Sequence, residues 1–568
     1  MTFREWKPGL IAATVLAVIT SLPQIYLCYE RGSEWNGAYA YLDSDEFLYS
    51  AYLNALIEGR PRRNDPYTGD DAGQFETLFS IQFIPAYCIA IPARIFGFSA
   101  SASFIVLLPL ITIASTLILF LLLFELTQNS IVSAIGAMGV LCFGILAAQP
   151  PWQFFSAPFP LPFPFLRRSV PAFPFPLFFA MTLFMWRSLA RNSLIWSAFA
   201  GLTFVALIYS YFYLWTAAAA WLATLMILWI VARPPDFRMI MRVFGVIVLI
   251  GGVALVPYLW LLAHRSPVTA SNVLLEFTHW PDLMRGPELF GVVILLVLAV
   301  VKRRAVDWRD PKILFLLSFS LAPILVFNHQ VLTGRSLQPF HYEWFIANYW
   351  TLTALFLAFG LTWRHLPKRV PIYLAIGSIG IALVLAVHAA AERQGSNVEV
   401  DKGRGVALKF RGYEGVAFIP GTLTHSFATT ASNPVLWAQY LYTFSHVDPR
   451  EQKLRFYRYL YYSGVNEQAL RLSLERGIYA ASGEIFGLQR TNQILTANPQ
   501  PITPNEIEAA VDEYRNFALA FSRGDAATPV LSYAIVSPSN NLSNLDKWYE
   551  RDAGQKVGDF IIYRLTLK

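Results

Sequence analysis

The chain has 568 residues, 55% hydrophobic, 15% aromatic and only 14% charged, with a net charge of +7. So apolar a composition excludes an ordinary soluble protein and predicts an integral membrane protein. The positive charge does not imply nucleic acid, because the basic residues sit in short clusters between apolar runs, where membrane topology places them.

At the N-terminus, Arg4 and Lys7 precede an apolar run from Leu10 to Tyr29. It is long for a signal sequence and no small-residue cleavage site follows, which predicts a retained first span with a cytoplasmic N-terminus. Runs long enough to cross a bilayer, about 17–25 residues each, recur near 78–97, 102–124, 131–149, 171–189, 194–211, 213–232, 241–263, 288–302, 312–328, 345–363 and 370–390. If 78–97 does not cross, the basic clusters Arg187/Arg191, Arg233/Arg238/Arg242, Lys302 to Lys312 and Arg364/Lys368/Arg369 all fall inside. The stretch 78–97, which carries Pro85, Pro92 and Arg94, is therefore expected to lie in the outer interface, leaving about eleven spans. The fold class is then mainly α, a polytopic helix bundle (1–391) with a large first external loop (30–101) and a C-terminal external α/β domain (392–568). In the latter, "GVAFIP" and "VGDFIIYRL" predict strands, and "DPREQKLRFYRYLYYSG" and "TPNEIEAAVDEYRNFALAFSRG" predict helices. Cys28, Cys88 and Cys142 have no metal-binding or disulfide spacing.

The first external loop opens with "YLDSDEFLYSAYLNALIEG", which places Asp43, Asp45 and Glu46 beside Tyr49. Asp43 followed three residues later by Glu46 is a capping-box pattern for a helix from Ser44 to Glu58, stopped by Gly59 and Pro61. Capping leaves Asp45 unexplained, and an ionised carboxylate in a first helical turn is available as a base or metal ligand. Arg60, Arg62 and Arg63 lie on a side where arginine is sparse and suit either the loop's acids or lipid phosphate.

The stretch "QPPWQFFSAPFPLPFPFLRRSVPAFPFPLFF" cannot be a regular helix, because its prolines repeatedly remove donors. Its aromatic surface suits a polyprenyl tail and Arg167 and Arg168 suit a phosphate, unless both arginines only snorkel to headgroups. Between two later spans, "FNHQVLTGRSLQPFHYEWF" gathers Asn328, His329, Gln330, Arg335, Gln338, His341, Tyr342 and Glu343. So many polar groups at membrane depth point to a sugar and diphosphate pocket. The two histidines are not spaced as a helical zinc pair.

The arrangement resembles the GT-C superfamily of polytopic glycosyltransferases, which includes protein mannosyltransferases, the catalytic subunit of oligosaccharyltransferase and the enzyme adding aminoarabinose to lipid A. "DSDEFLYSAYLNALIEG" looks like the opening of that family's first external loop, "LFSIQFIPAYCIAIPARIFGFS" like its juxtamembrane portion, and "RRSVPAFPFPLFF" like the start of a following span. The resemblance implies transfer of a sugar from a polyprenyl-phosphate donor to a glycan, lipid or protein acceptor on the outer face of a membrane, with a bacterial inner membrane expected. It makes Asp45 the residue that activates the acceptor. "DSD" also looks like the D-x-D of metal-using members, which leaves open a divalent cation, Mg or Mn, on Asp43 and Asp45. A transporter or flippase of a lipid-linked sugar, or a non-catalytic scaffold, is the alternative; polar residues clustered on one side favour chemistry there.

Overall fold

A computed structural model describes residues 1–71, 73–148, 163–233, 237–266, 275–277, 280–301, 307–362, 369–431, 433–439, 441, 448–491 and 500–568. Each of the eleven runs expected to cross forms helix. They are α1 (Phe3–Thr20) with α2 (Leu22–Arg31), α6 (Ala100–Thr127), α7 (Ser130–Ala148), α8 (Pro174–Arg191), α9 (Leu194–Ile208), α10 (Phe212–Ala232), α11 (Phe237–Ala263), α12 (Gly286–Val301), α13 (Pro311–Asn328), α14 (Asn348–Thr362) and α15 (Arg369–Phe410). Seven helices among the described residues are long and apolar enough to span by themselves, or eight when α1 and α2, bent by 41°, count as one. Between the first and second of these runs lie α3 (Glu46–Ile57), α4 (Leu78–Ile81) and α5 (Ile84–Phe96). The expected interfacial stretch is thus a break followed by a 13-residue helix, short of the roughly 20 residues a crossing needs. Helix α5 buries Ala86, Ile89, Ala90 and Ala93 and exposes Ile91, Ile95 and Phe96, the two-faced pattern of a helix lying on a membrane. The Pro-Phe stretch over 149–162 and the basic residues Lys302–Arg304, Arg364 and Lys368 lie outside the described residues.

Close helix packing uses small residues. A Cβ on Gly291 of α12 would stand 2.2 Å from the backbone oxygen of Ser320 on α13, an atom that cannot swing aside. Gly291→Ala is therefore expected to lower the thermal midpoint in detergent, at a cost of about 1–3 kcal/mol. Gly245→Ala on α11, where nothing lies within 4 Å, should leave it unchanged. Equal behaviour of the two variants would show that the α12–α13 contact is not as tight as described.

Helix α15 runs unbroken for 42 residues, about 60 Å, straight through the composition change expected to part the domains at 391/392. The shift in charge density marks a change of surroundings, not the end of the helix. Asn397, Asp401 and Arg404, spaced four and three apart, share one face of this extension. Asn397 Oδ1 accepts the Tyr41 N–H at 3.0 Å, and Asp401 accepts from Asn36 N (2.9 Å), Ala38 N (3.2 Å) and Arg31 Nε (2.9 Å). Arg404 Nε donates to Asn36 O at 3.0 Å. The extended last helix thus fixes the backbone leading into Asp43 and Asp45.

Beyond it, β3 (Val416–Phe418), β4 (Leu531–Val536), β5 (Tyr549–Arg551), β6 (Gln555–Val557) and β7 (Phe560–Leu567) form a sheet in the order β3-β4-β7-β5, with β6 also on β7. The β3–β4 pairing is parallel and the other pairings are antiparallel. Helices α16 (Leu423–Ala428), α17 (Pro449–Tyr462), α18 (Glu467–Glu475) and α19 (Pro504–Leu519) accompany it. The two strands and two helices expected from sequence all form. Helix α16 lies against α3, where the His425 ring stacks on Phe47 at 4.6 Å and 10°. Two further short strands, β1 (Leu275–Phe277) and β2 (Arg335–Leu337), pair antiparallel between the later spans.

Candidate functional site

Helix α3 begins one residue after Asp45, and the expected capping box is replaced by a different set of bonds. Asp43 Oδ1 accepts the N–H of Asp45 at 2.8 Å, a local turn that presents the next carboxylate. Asp45 closes the non-helical segment without capping the helix through its side chain. Glu46, expected to reach back to the start of the helix, accepts the Leu42 N–H at 3.2 Å but is otherwise committed to Arg168.

The two adjacent arginines take opposite roles. Arg168 and Glu46 are fully buried; the Arg168 backbone N–H donates to Glu46 Oε1 at 3.0 Å and its guanidinium lies 3.1 Å from Oε2. This ion pair locks the 163–171 segment to α3, and Arg168 also lies over the Tyr39 ring at 5.4 Å. Arg167 points toward Asp45 instead: Nη1 donates to Asp45 Oδ2 at 2.9 Å, Nη2 to Tyr211 Oη at 3.1 Å and Nε to Val170 O at 3.0 Å. Its plane faces Phe345 at 4.6 Å and Tyr49 at 5.6 Å. Ser169 holds φ at +68°, a left-handed conformation uncommon for serine, in the turn that separates the two arginines from α8.

Arg167 is buried, whereas the Asp45 side chain is 39% exposed. A carboxylate accessible to water yet deep among protein atoms lines an opening. Burial and the neighbouring Asp43 carboxylate push Asp45 up to about 6, against the pull of Arg167. Beside it Tyr49, Tyr52, Phe79, Val170 and Tyr211 enclose a narrow cavity of about 30 Å³, room for one water.

From Tyr211 the wall continues through Tyr213, 5.3 Å away between ring centroids, to His341, whose ring stacks on Tyr213 at 4.2 Å and 9°. Gln338 accepts from the Tyr213 hydroxyl at 3.3 Å, and His341 lies 5.5 Å from Phe345, the ring that carries Arg167. The buried His341 Nδ1 has no hydrogen-bond partner among the described residues. Asp43, Asp45, Tyr49, Arg167, Gln338 and His341 therefore converge. Sequence reasoning passed over Tyr211, Tyr213 and Phe345; "YSYFYLW" reads as an ordinary aromatic start to a span, and only its density of hydroxyls hinted otherwise.

Other expected residues stand apart. Arg335 lies on β2 and is exposed. His329 turns its Nδ1 to Val326 O at 2.8 Å and lies 6.5 Å from the Tyr342 ring, while Gln330 is buried. Glu343 faces Arg285 at 3.2 Å, in a second polar group where Arg285 also pairs with Asp282 and Asn328 donates to Glu288 at 2.9 Å. These charges come from "WPDLMRGPE", which in sequence looks like a solvated loop.

Asp43 and Asp45 do not, as placed, make a divalent-cation site. One carboxylate serves a backbone N–H and the other an arginine, and no group of three or more His, Cys, Asp or Glu able to hold a metal occurs among the described residues.

No protein-family model matches the chain, and no curated protein matches it. Solved structures do. The Archaeoglobus fulgidus oligosaccharyltransferase AglB in complex with an inhibitory peptide and a dolichol-phosphate is 13% identical, with a TM-score of 0.47 over 99% of this chain and 74% of that one. The Archaeoglobus fulgidus oligosaccharyltransferase in its apo form is 14% identical, with a TM-score of 0.44 over 98% and 76%. ArnT from Cupriavidus metallidurans bound to undecaprenyl phosphate is 12% identical, with a TM-score of 0.47 over 96% and 97%. Likeness at this level, with identities of 12–14% and TM-scores below 0.5, carries no residue roles across.

Proposed function

We propose that the chain is a membrane glycosyltransferase that moves a sugar from a polyprenyl-phosphate donor to an acceptor hydroxyl at the extracytoplasmic face. In this reading the N-terminus is cytoplasmic, the C-terminal domain extracytoplasmic and the membrane a bacterial inner membrane. The observation that carries it is the contact of a water-accessible carboxylate, Asp45, with a buried arginine, Arg167, beneath an aromatic and imidazole wall. Asp45 takes the acceptor's proton as its oxygen bonds to the anomeric carbon. The anomeric carbon–oxygen bond to the lipid phosphate breaks, and the phosphate leaves with the electron pair. Arg167, held on three sides by Asp45, Val170 and Tyr211, keeps further N–H groups for that leaving oxyanion. Tyr213, His341 and Gln338 offer ring faces and hydrogen-bonding groups to a sugar. Arg168 and Glu46 act beneath the site as its support, and Arg335, His329, Gln330 and Glu343 lie beyond this contact set.

The test is acceptor-dependent release of undecaprenyl phosphate from undecaprenyl-phosphate-linked sugars by membranes containing the chain. Release above that of membranes lacking it is expected for at least one common bacterial sugar with lipid-rich membrane extract as acceptor. If the donors are instead moved intact across sealed vesicles, with the sugar bond uncut, the transporter reading replaces this one.

A further inference from the structure

At the far end of α3 from Asp45, about 18 Å along the helix, a cavity of about 580 Å³ opens between the first loop, the end of α5, the start of α6 and the segment after α15. Asn54, Glu58, Arg94, Ser99, Arg411 and Ala431 line it. Its charge balance is unusual. Arg411 Nε donates to the Thr430 carbonyl at 2.9 Å, while Arg404 Nη1 donates to the Thr430 hydroxyl at 3.0 Å and Nη2 to Ser99 Oγ at 3.2 Å. One residue thus holds two guanidinium groups side by side, and Arg94 reaches the same cavity over Gly59. Among the described residues none of the three arginines forms an ion pair with a carboxylate. The acid on the same face as Arg404, Asp401, is spent on Arg31 and on backbone N–H groups of the first loop. Among the described residues Glu58 is the one carboxylate in the wall, and it accepts from Asn54 at 3.5 Å. Two cations in the wall, Arg94 and Arg411, with Arg404 buried behind it on Thr430 and Ser99, stand against one anion in a space large enough for a polar headgroup and leave positive charge uncompensated.

The setting identifies the anion. Arg94 stands in the last turn of α5, whose outer face exposes Ile91, Ile95 and Phe96, followed by exposed Phe98. Apolar side chains facing outward beside an arginine-lined cavity place acyl chains and a phosphate within reach of one molecule. We propose that this cavity binds the phosphate-bearing headgroup of an anionic phospholipid, its chains lying along α5, so that one lipid ties the first loop to the C-terminal domain. The proposal stands on this cavity alone and not on the catalytic reading.

The test is native mass spectrometry of the full chain in a neutral detergent, titrated with phosphatidylglycerol or with phosphatidylcholine. The expected result is one phosphatidylglycerol retained at least tenfold more tightly than phosphatidylcholine, with that preference lost in the double variant Arg94→Gln, Arg411→Gln. Both side chains are exposed, so the variant should fold, and an unchanged thermal midpoint without lipid verifies it. Arg476→Gln, an exposed change elsewhere in the C-terminal domain, should keep the preference. Retention of phosphatidylglycerol unaltered in the double variant would overturn the site. Displacement of the lipid by millimolar inorganic phosphate as readily as by more phosphatidylglycerol would overturn the lipid as its occupant.

Discussion

Asp45→Asn is expected to reduce sugar transfer by at least 100-fold while the protein remains folded. A positioned general base contributes about 10²–10⁴ in rate, and asparagine keeps the shape and an acceptor oxygen for Arg167 but cannot take a proton. Folding should not suffer. Asp45 is partly exposed, and Arg167 retains Val170 O and Tyr211 Oη as partners. The pH profile carries the sharper signature. Burial and Asp43 raise Asp45 to about 6, and a base works only when ionised, so kcat/KM should fall with unit slope as pH drops below about 6 and level off above it. The residual activity of Asp45→Asn should lack that inflection. Transfer of labelled sugar from a polyprenyl-phosphate donor, measured from pH 5 to 8, checks both; a wild-type profile flat through pH 6, or a variant with full activity, would remove Asp45 as the base.

Much of the bundle was legible in sequence because a membrane imposes a length and a composition on whatever crosses it. The expectation that 78–97 does not cross came from where arginines fall, and the stretch folds as two helices, Leu78–Ile81 and Ile84–Phe96, the longer of only 13 residues. The continuity of α15 through 391/392 was not legible in the same way. Charge density reports the surroundings a segment is suited to, and α15 passes from an apolar to a charged composition without leaving the helix. Its Asn397, Asp401 and Arg404 look like surface residues until the first loop is seen to bond to them.

At the site, the carboxylates and the paired arginines announced themselves because charge is rare near a membrane. What sequence could not divide was "RR". A turn with Ser169 in the left-handed region faces Arg167 and Arg168 in different directions, one toward an opening and one into dense packing. The tyrosines were invisible for the opposite reason, since aromatic residues are common at membrane interfaces and only their stacking with His341 and their bond to Arg167 distinguish them. Arg335 looked equally promising and is turned outward by a short strand pairing that no local pattern reveals.

Glu46→Gln is expected to be the most destabilising conservative change in this region, by about 3–5 kcal/mol, because it strands the Arg168 cation in a site that water does not reach. The reverse change, Arg168→Met, should cost less, and the difference should depend on pH. An arginine cannot shed its charge, whereas a stranded carboxyl can accept a proton. Burial already pushes Glu46 up to about 6 even with the Arg168 charge and backbone N–H pulling the other way. The sign follows from that. The folded value lies above the ordinary 4.5, so the stability linked to Glu46 protonation is full below pH 4.5 and is lost as pH rises through about 6. Removing Arg168 raises the folded value further, so Arg168→Met should be nearly tolerated at pH 5 and clearly destabilised at pH 8. Glu46→Gln should be clearly impaired at pH 8, where wild-type Glu46 is ionised, and close to wild type at pH 5, where the carboxyl is already mostly protonated. The double apolar variant Glu46→Leu, Arg168→Met should recover much of the loss, since such pairs can be replaced without penalty when both charges leave together. Thermal midpoints in detergent at the two pH values measure all three, and a Glu46→Gln variant as stable as wild type at pH 8 would contradict the fully buried pair. If the double variant is stable but inactive, the pair is held for position: it clamps the backbone at Arg168 and thereby aims Arg167, the adjacent residue, at Asp45.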